Sequence, residues 1–136
     1  MGIADLLFSF AGRINRGKFW LGFLILTVLS IIAYLAIVVF LGEPFAIANL
    51  EAVANGAEPE IVTSTPGLIG YAIMSLISIF MSFAIMIKRC HDRGKPGWWS
   101  LIALIPIAGS IWAIIDLGVM EGDPGPNQYG PNPLQV

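Results

Sequence analysis

Apolar residues along this chain come in long uninterrupted blocks, not at the 3.6- or 2-residue periods of half-buried helices and strands. Positions 20–41 hold 22 consecutive uncharged residues, 68–87 hold 20 and 98–115 hold 18. About 20 helical residues, at about 1.5 Å each, cross a hydrocarbon core roughly 30 Å thick. The blocks therefore predict three membrane-spanning helices, drawn at 20–41, 68–87 and 98–117. An outer loop, 42–67, and a turn, 88–97, join them, and a tail, 118–136, follows.

Shorter patterns add detail to this frame. Ile3, Leu6, Leu7 and Phe10 recur at helical spacing, which predicts a short amphipathic helix lying in the membrane interface. In the loop, Pro44 suits a first helical position and Asn55-Gly56 a stop, so a second interfacial helix is expected between them. Ser64 or Thr65, before Pro66, reads as the cap of the second span. The fold class expected is all-α: one integral membrane domain, 1–136, with three transmembrane helices and interfacial helices at the N-terminus and in the first outer loop. Pro106 and Gly109 interrupt the third block, and two outcomes follow from them. Either the helix bends and crosses, or residues 106–110 turn a re-entrant hairpin that returns the tail to its side of origin.

Composition agrees with a membrane protein, with 57% of residues apolar and 12% charged. The placement of charge says more than its net value of -2. Every basic residue falls in one of two places: Arg13, Arg16 and Lys18 before the first span, and Lys88, Arg89, Arg93 and Lys95 after the second. The loop between carries Glu43, Glu51, Glu58 and Glu60, and the tail carries Glu121 and Asp123. Cytoplasmic segments are enriched in Lys and Arg, so the N-terminus and the 88–97 turn are expected inside and the loop outside. Three full spans would place the tail outside. The first block is longer than the apolar core of a signal peptide and is expected to be retained.

The spans carry a polar stripe. Thr27, Ser30 and Tyr34 share one helix face, and Tyr71, Ser75, Ser78 and Ser82 share another. Small and hydroxyl-bearing residues let membrane helices approach closely, so the two sets are expected to form a helix-packing seam. The alternative, a polar path for a solute, would need an oligomer to enclose it.

The stretch KRCHDRGKPGWWS, 88–100, concentrates the remaining chemistry. Gly94, Pro96 and Gly97 are chain-reversing residues, Trp98 and Trp99 suit headgroup depth, and Lys88 and Arg89 are expected to snorkel from the second span. His91 beside Asp92 raises acid-base catalysis, and Cys90-His91-Asp92 raises a metal site. Adjacent residues diverge in a turn, and the chain holds no other Cys or His to complete a ligand set, so neither a catalytic residue nor a metal or other cofactor is expected. Asp92 is expected to cap backbone amides or to pair with Arg13 or Arg16. Asp116 is expected to face water or a donor on a partner.

Gly12, Arg13, Arg16, Phe19 and Trp20, then Arg89, His91, Asp92, Gly97, Trp98 and Trp99, then Pro106 and Gly109, and finally EGDPGPNQYGPNP at the tail form a recurring set of motifs. In these the chain resembles the domain of unknown function 805 family of small bacterial inner-membrane proteins. That resemblance implies a bacterial inner-membrane location and a multi-pass chain, and supplies no activity. It also gives weight to Asn127, Tyr129, Gly130 and Asn132 as a compact tail motif. The function expected is non-enzymatic: engagement of anionic lipid headgroups or a partner membrane protein through Arg13, Arg16, Lys18, Arg89, His91, Asp92, Arg93, Lys95, Trp98 and Trp99. A subunit of an oligomeric transporter or channel is the alternative, and an enzyme acting on a lipid phosphate through His91 a further one. Nucleic acid is not an expected partner.

Overall fold

The computed structural model describes residues 2–135. Two long helices dominate it: α2, Arg16–Leu41, and α4, Thr65–Asp92. Among the described residues these are the two helices long and apolar enough to cross a membrane. Short helices α1, Ile3–Phe8, and α3, Leu50–Ala54, precede and follow α2. The chain divides into two compact units, one formed by residues 1–27 with 79–136 and the other by 28–78.

In the 28–78 unit, the facing halves of α2 and α4 approach closely because glycines line the contact. A Cβ on Gly70 would strike Leu41, and one on Gly67 would run into the Gly42 carbonyl. The helix start at Thr65 is capped as expected, with Ser64 Oγ accepting from the Gly67 amide at 3.3 Å and donating to the Leu41 carbonyl at 2.6 Å. The connecting loop is less helical than its sequence suggested. Strands β1, Ala46–Ile47, and β2, Ile61–Val62, pair antiparallel around α3, which covers only the second half of the expected helix. Asn49 explains the difference: its side chain donates to the Glu58 carbonyl and accepts from the Glu60 amide, both at 2.8 Å. These bonds tie the two ends of the loop together before the helix can begin.

The other unit packs Leu6 and Leu7 of α1, Ile14, Phe19 and Leu26, Ile85, Met86 and Cys90 of α4, and Leu117 into one core. Here the third expected span is corrected. Residues 98–117 do not form one helix. They fold into two arms: a 3-10 helix, Gly97–Leu104, and a return arm made of α5, Ala108–Trp112, and a π-helical segment, Ala113–Val119. Pro106 has no N–H to continue the first arm. Ile107 then takes φ 64°, which reverses the chain, and the Ala108 amide bonds the Pro106 carbonyl at 2.7 Å. A Cβ on Gly109 would collide with the backbone of Ile102 and Ala103, so a glycine is what lets the arms close. The tail consequently returns to the end of α4 from which the hairpin left.

Candidate functional site

Asp92, in the last turn of α4, organises the polar end of this unit. Its carboxylate lies between two guanidinium groups, accepting from Arg13 Nε at 3.1 Å and from Arg89 Nη1. All three side chains are buried. A buried charge is tolerated only when paired and hydrogen-bonded, and two cations around one anion leave an excess of positive charge. Backbone carbonyls absorb it. Arg13 donates to the Gly125, Gly130 and Asp123 carbonyls at 2.7, 3.1 and 2.9 Å. Arg89 donates to Leu117 O at 2.7 Å, to Ile14 O at 3.4 Å and to Met120 O.

The choice of carbonyls follows from helix ends. The last carbonyls of a helix have no intrahelical partner and carry its negative partial charge. Leu117 and Met120 lie at the end of the return arm, and Arg89 caps them. Lys88 does the same for α1, its ammonium donating to the Leu6 carbonyl at 2.6 Å and to that of Asp5. Both cations are fully buried, which corrects the expectation that they snorkel to the surface. Their charges are spent on helix ends delivered from elsewhere in the chain.

The tail motif closes over the same point. The Tyr129 ring stacks on the His91 imidazole, centroids 3.9 Å apart and planes within 6°. His91 Nδ1 is 3.2 Å from the Gly12 carbonyl; a carbonyl oxygen only accepts, so the proton sits on Nδ1 in this pairing. Asn127 donates to the His91 carbonyl at 2.9 Å and to Asp123 Oδ2 at 2.7 Å, and the Asp123 amide bonds the Asp92 carbonyl at 2.7 Å. Asn132, also buried, donates to Pro124 O and accepts from the Leu134 amide, each at 2.9 Å. Gly94 takes φ +66° to end α4 and lies directly under Asp123.

Asp116 was expected at the far end of a third span. The hairpin instead brings it to the turn after α4, where Lys95 reaches both its oxygens, at 2.7 and 2.8 Å, and Arg93 reaches Oδ1 at 3.0 Å. Burial disfavours its charge, but the hydrogen bonds and charges of Lys95 and Arg93 outweigh that and hold its pKa below the usual carboxylate value. Lys95 also lies over the Trp99 ring, 4.6 Å from the centroid, while Trp98 is exposed. Arg16 makes looser contacts, 3.1 Å to Val119 O and 3.3 Å to Glu121, both exposed. The Lys18 ammonium has no partner among the described residues. A half-open cavity of about 600 Å³ lies beside Arg16, Gly17 and Asp123 and is walled by the tail.

Cys90, His91 and Asp92 diverge. Cys90 turns into the apolar core, His91 lies under Tyr129, and Asp92 lies between the arginines; no group of three or more potential metal ligands converges among the described residues. Two contributors were motif positions in the sequence but not expected site residues: Trp20, whose indole donates to the Gly118 carbonyl at 3.1 Å, and Gly122, packed against the Asp92 carboxylate. The expected seam residues divide between the two units. Ser30 and Ser78 share a 3.3 Å hydrogen bond and Tyr34 meets Tyr71 edge-on at 6.4 Å, whereas Thr27 bonds its own helix at Phe23 O, 2.8 Å.

Two helices long and apolar enough to cross a membrane, with polar side chains gathered around Asp92 where α4 ends, are features of a small helical membrane protein. Over residues 7–131 the chain matches the model of the family described as protein of unknown function (DUF805), and it belongs to that family. It is similar to inner membrane protein YhaH of Escherichia coli K12, 39% identical over 59 residues, which cover 42% of this chain and 47% of YhaH, so the match spans about half of that relative. It is also similar to uncharacterized protein YiiR of the same strain, 27% identical over 100% of this chain and 93% of YiiR. Inner membrane protein YhaI is 25% identical over 92% of this chain and 86% of its own length. No solved structure matches the chain.

Proposed function

We propose that this chain is a non-enzymatic inner-membrane protein with two spans, its N-terminus and its tail both on the cytoplasmic side, which engages anionic lipid headgroups through Arg16 and Lys18. The carrying observation is the division of charge. The unit that contains the polar end holds all seven basic side chains against five acidic ones, and the 28–78 unit holds four glutamates and no cation. That asymmetry favours the polar end inside. Within it, Arg13, Lys88 and Arg89 are buried with each side-chain nitrogen hydrogen-bonded, and Arg93 and Lys95 share Asp116. Arg16 and Lys18 are the cations left for an outside partner, at the start of a spanning helix where headgroups lie. Each cation near an anionic surface contributes about 1 kcal/mol.

Arg16→Gln and Lys18→Gln, alone and together, should lower the anionic phospholipid that co-purifies with the protein in mild detergent. Equal lipid recovery from the double variant, with the tail still resistant to protease, would exclude this reading. The Ser30–Ser78 and Tyr34–Tyr71 contacts favour helix packing over a solute path for the polar stripe.

A further inference from the structure

The hairpin from Gly97 to Val119 has an outward face that none of the described residues covers. Leu101, Leu104, Ile107, Ile111, Ile114 and Ile115 are each more than half exposed, and positions 96–115 carry no charge. On the opposite face, Trp99, Ala103, Trp112 and Ala113 pack on the core that contains Phe19 of α2 and Ile85 of α4. We infer that this outward face docks against the acyl chains of a single leaflet, the one beside the polar end, with the hairpin tip near the bilayer midplane.

Depth is the first argument. The 3-10 arm has 8 residues and at about 2.0 Å each reaches about 16 Å. The return arm, Ala108–Trp112 with the π-helical Ala113–Val119, reaches at most about 18 Å, the length it would have at the α-helical rise of about 1.5 Å per residue. Half of a roughly 30 Å hydrocarbon core is about 15 Å, so both arms fit one leaflet. The base of the hairpin is placed independently. Trp98, Trp99 and Lys95 are the residue types that sit at headgroup level, and Trp20 at the start of α2 bonds Gly118 at the hairpin's end.

The second argument concerns the backbone at the tip. Lipid offers no hydrogen-bond partner, so irregular backbone at that depth must satisfy itself. Here the Ile105 amide bonds Ile102 O at 3.0 Å, the Gly109 amide bonds Ile105 O at 2.8 Å and the Ile111 amide bonds Ile107 O at 3.0 Å. The Ala108 amide bonds Pro106 O, and Pro106 itself has no N–H to satisfy. The Ile105, Ala108, Gly109 and Ile111 donors are thus closed within the hairpin, the arrangement that hydrocarbon favours.

The inference rests on the membrane reading above and is independent of whether Arg16 and Lys18 hold headgroups. Its test uses the full chain in phosphatidylethanolamine–phosphatidylglycerol vesicles, with one cysteine at Ile107, or at Leu104 as a second position, in a Cys90→Ala background. A small fluorophore at either cysteine should be quenched most by lipids brominated near the chain ends, least by those brominated near the headgroup, and should stay beyond an aqueous quencher. In cells, cysteines at Ser64 and Gln135 should react with an impermeant thiol reagent from opposite sides. Quenching from water at Ile107 and Leu104 would overturn the inference. So would disulfide crosslinking of Ile107 between copies in place of lipid quenching, which would mark a protein interface, or labelling of Ser64 and Gln135 from the same side, which would require a full third crossing. Lipid recovery by the Arg16 and Lys18 variants is read separately, so either proposal can fail alone.

Discussion

Arg13 and Asp92, 79 positions apart, form a buried ion pair at 3.1 Å in which the guanidinium also binds three carbonyls of the tail. The N-terminal segment, the end of α4 and the tail therefore share a single fastening point. A guanidinium is suited to this because its donors project in a plane toward several acceptors at once. The motifs are in this sense architecture first, and what they can bind is limited to what the architecture leaves unused.

Removing Asp92 should undo the fastening. Asp92→Asn leaves Arg13 and Arg89 close together in a buried site without their anion, and breaking a buried pair in this way costs about 3–5 kcal/mol. The expected result is a lower melting temperature in detergent together with early protease cleavage in 121–135. Arg13→Ala should release the tail as well, but the two losses should add to less than their sum because the residues share partners. A stable Asp92→Asn protein with a protected tail would show that the ion pairs are dispensable.

Lys88 makes a separable prediction about α1. Lys88→Met keeps much of the apolar stem but leaves the Leu6 carbonyl without its donor and the Asp5 carbonyl with the Ser9 amide alone, at a cost of about 1–3 kcal/mol for a buried acceptor. Faster amide exchange should be confined to Ile3–Phe8 and the segment after it, while the tail stays protected. Exchange that rises equally in α1 and the tail would mean that Lys88 supports the whole unit and not one helix end.

The Ser30–Ser78 bond should matter little for stability. Interhelical hydrogen bonds of this kind in membranes average about 0.6 kcal/mol, so Ser30→Ala with Ser78→Ala should melt within a few degrees of the parent. Replacing Gly67 with Ala should be far worse, because the new methyl would meet the Gly42 carbonyl. Thermal melting of both variants tests whether closeness of approach or hydrogen bonding holds the 28–78 unit.

What could be read from the sequence follows from what leaves a trace in residue type. α2 and α4 were legible because an uncharged run of at least 20 residues has few other uses, and the basic clusters at their ends were legible as one charged face. The third block had the same composition, so composition could not separate a crossing from a hairpin; only Pro106 and Gly109 pointed to the reversal, and a proline can equally bend a helix. Asp92 with Arg13 was foreseeable as a pairing of unlike charges. The carbonyls of Gly125, Gly130, Leu117 and Met120 were not, since every residue carries one and no side chain marks which will be used. Lys88 and Arg89 were misread for a related reason. A cation at the end of a span ordinarily reaches water, and nothing local announces a helix end arriving from a distant segment.

Gly122 and Gly125 allow the tail's packing to be tested with little change in chemistry. Both glycines lie in the EGDPGP segment, and neither has the positive φ that would itself penalise alanine. Their surroundings differ. A Cβ at Gly122 would overlap the Asp92 carboxylate, whereas one at Gly125 meets nothing within 4 Å. Overpacking a filled site costs about 1–3 kcal/mol, and here the displaced group is the anion on which both arginines depend, so Gly122→Ala should fall at the upper end of that range and expose the tail to protease. Gly125→Ala keeps the carbonyl that accepts from Arg13 and should be near neutral. Melting and proteolysis of the two variants side by side would check the arrangement; equal behaviour would mean that the tail does not press on Asp92 and that the cap must close in some other way.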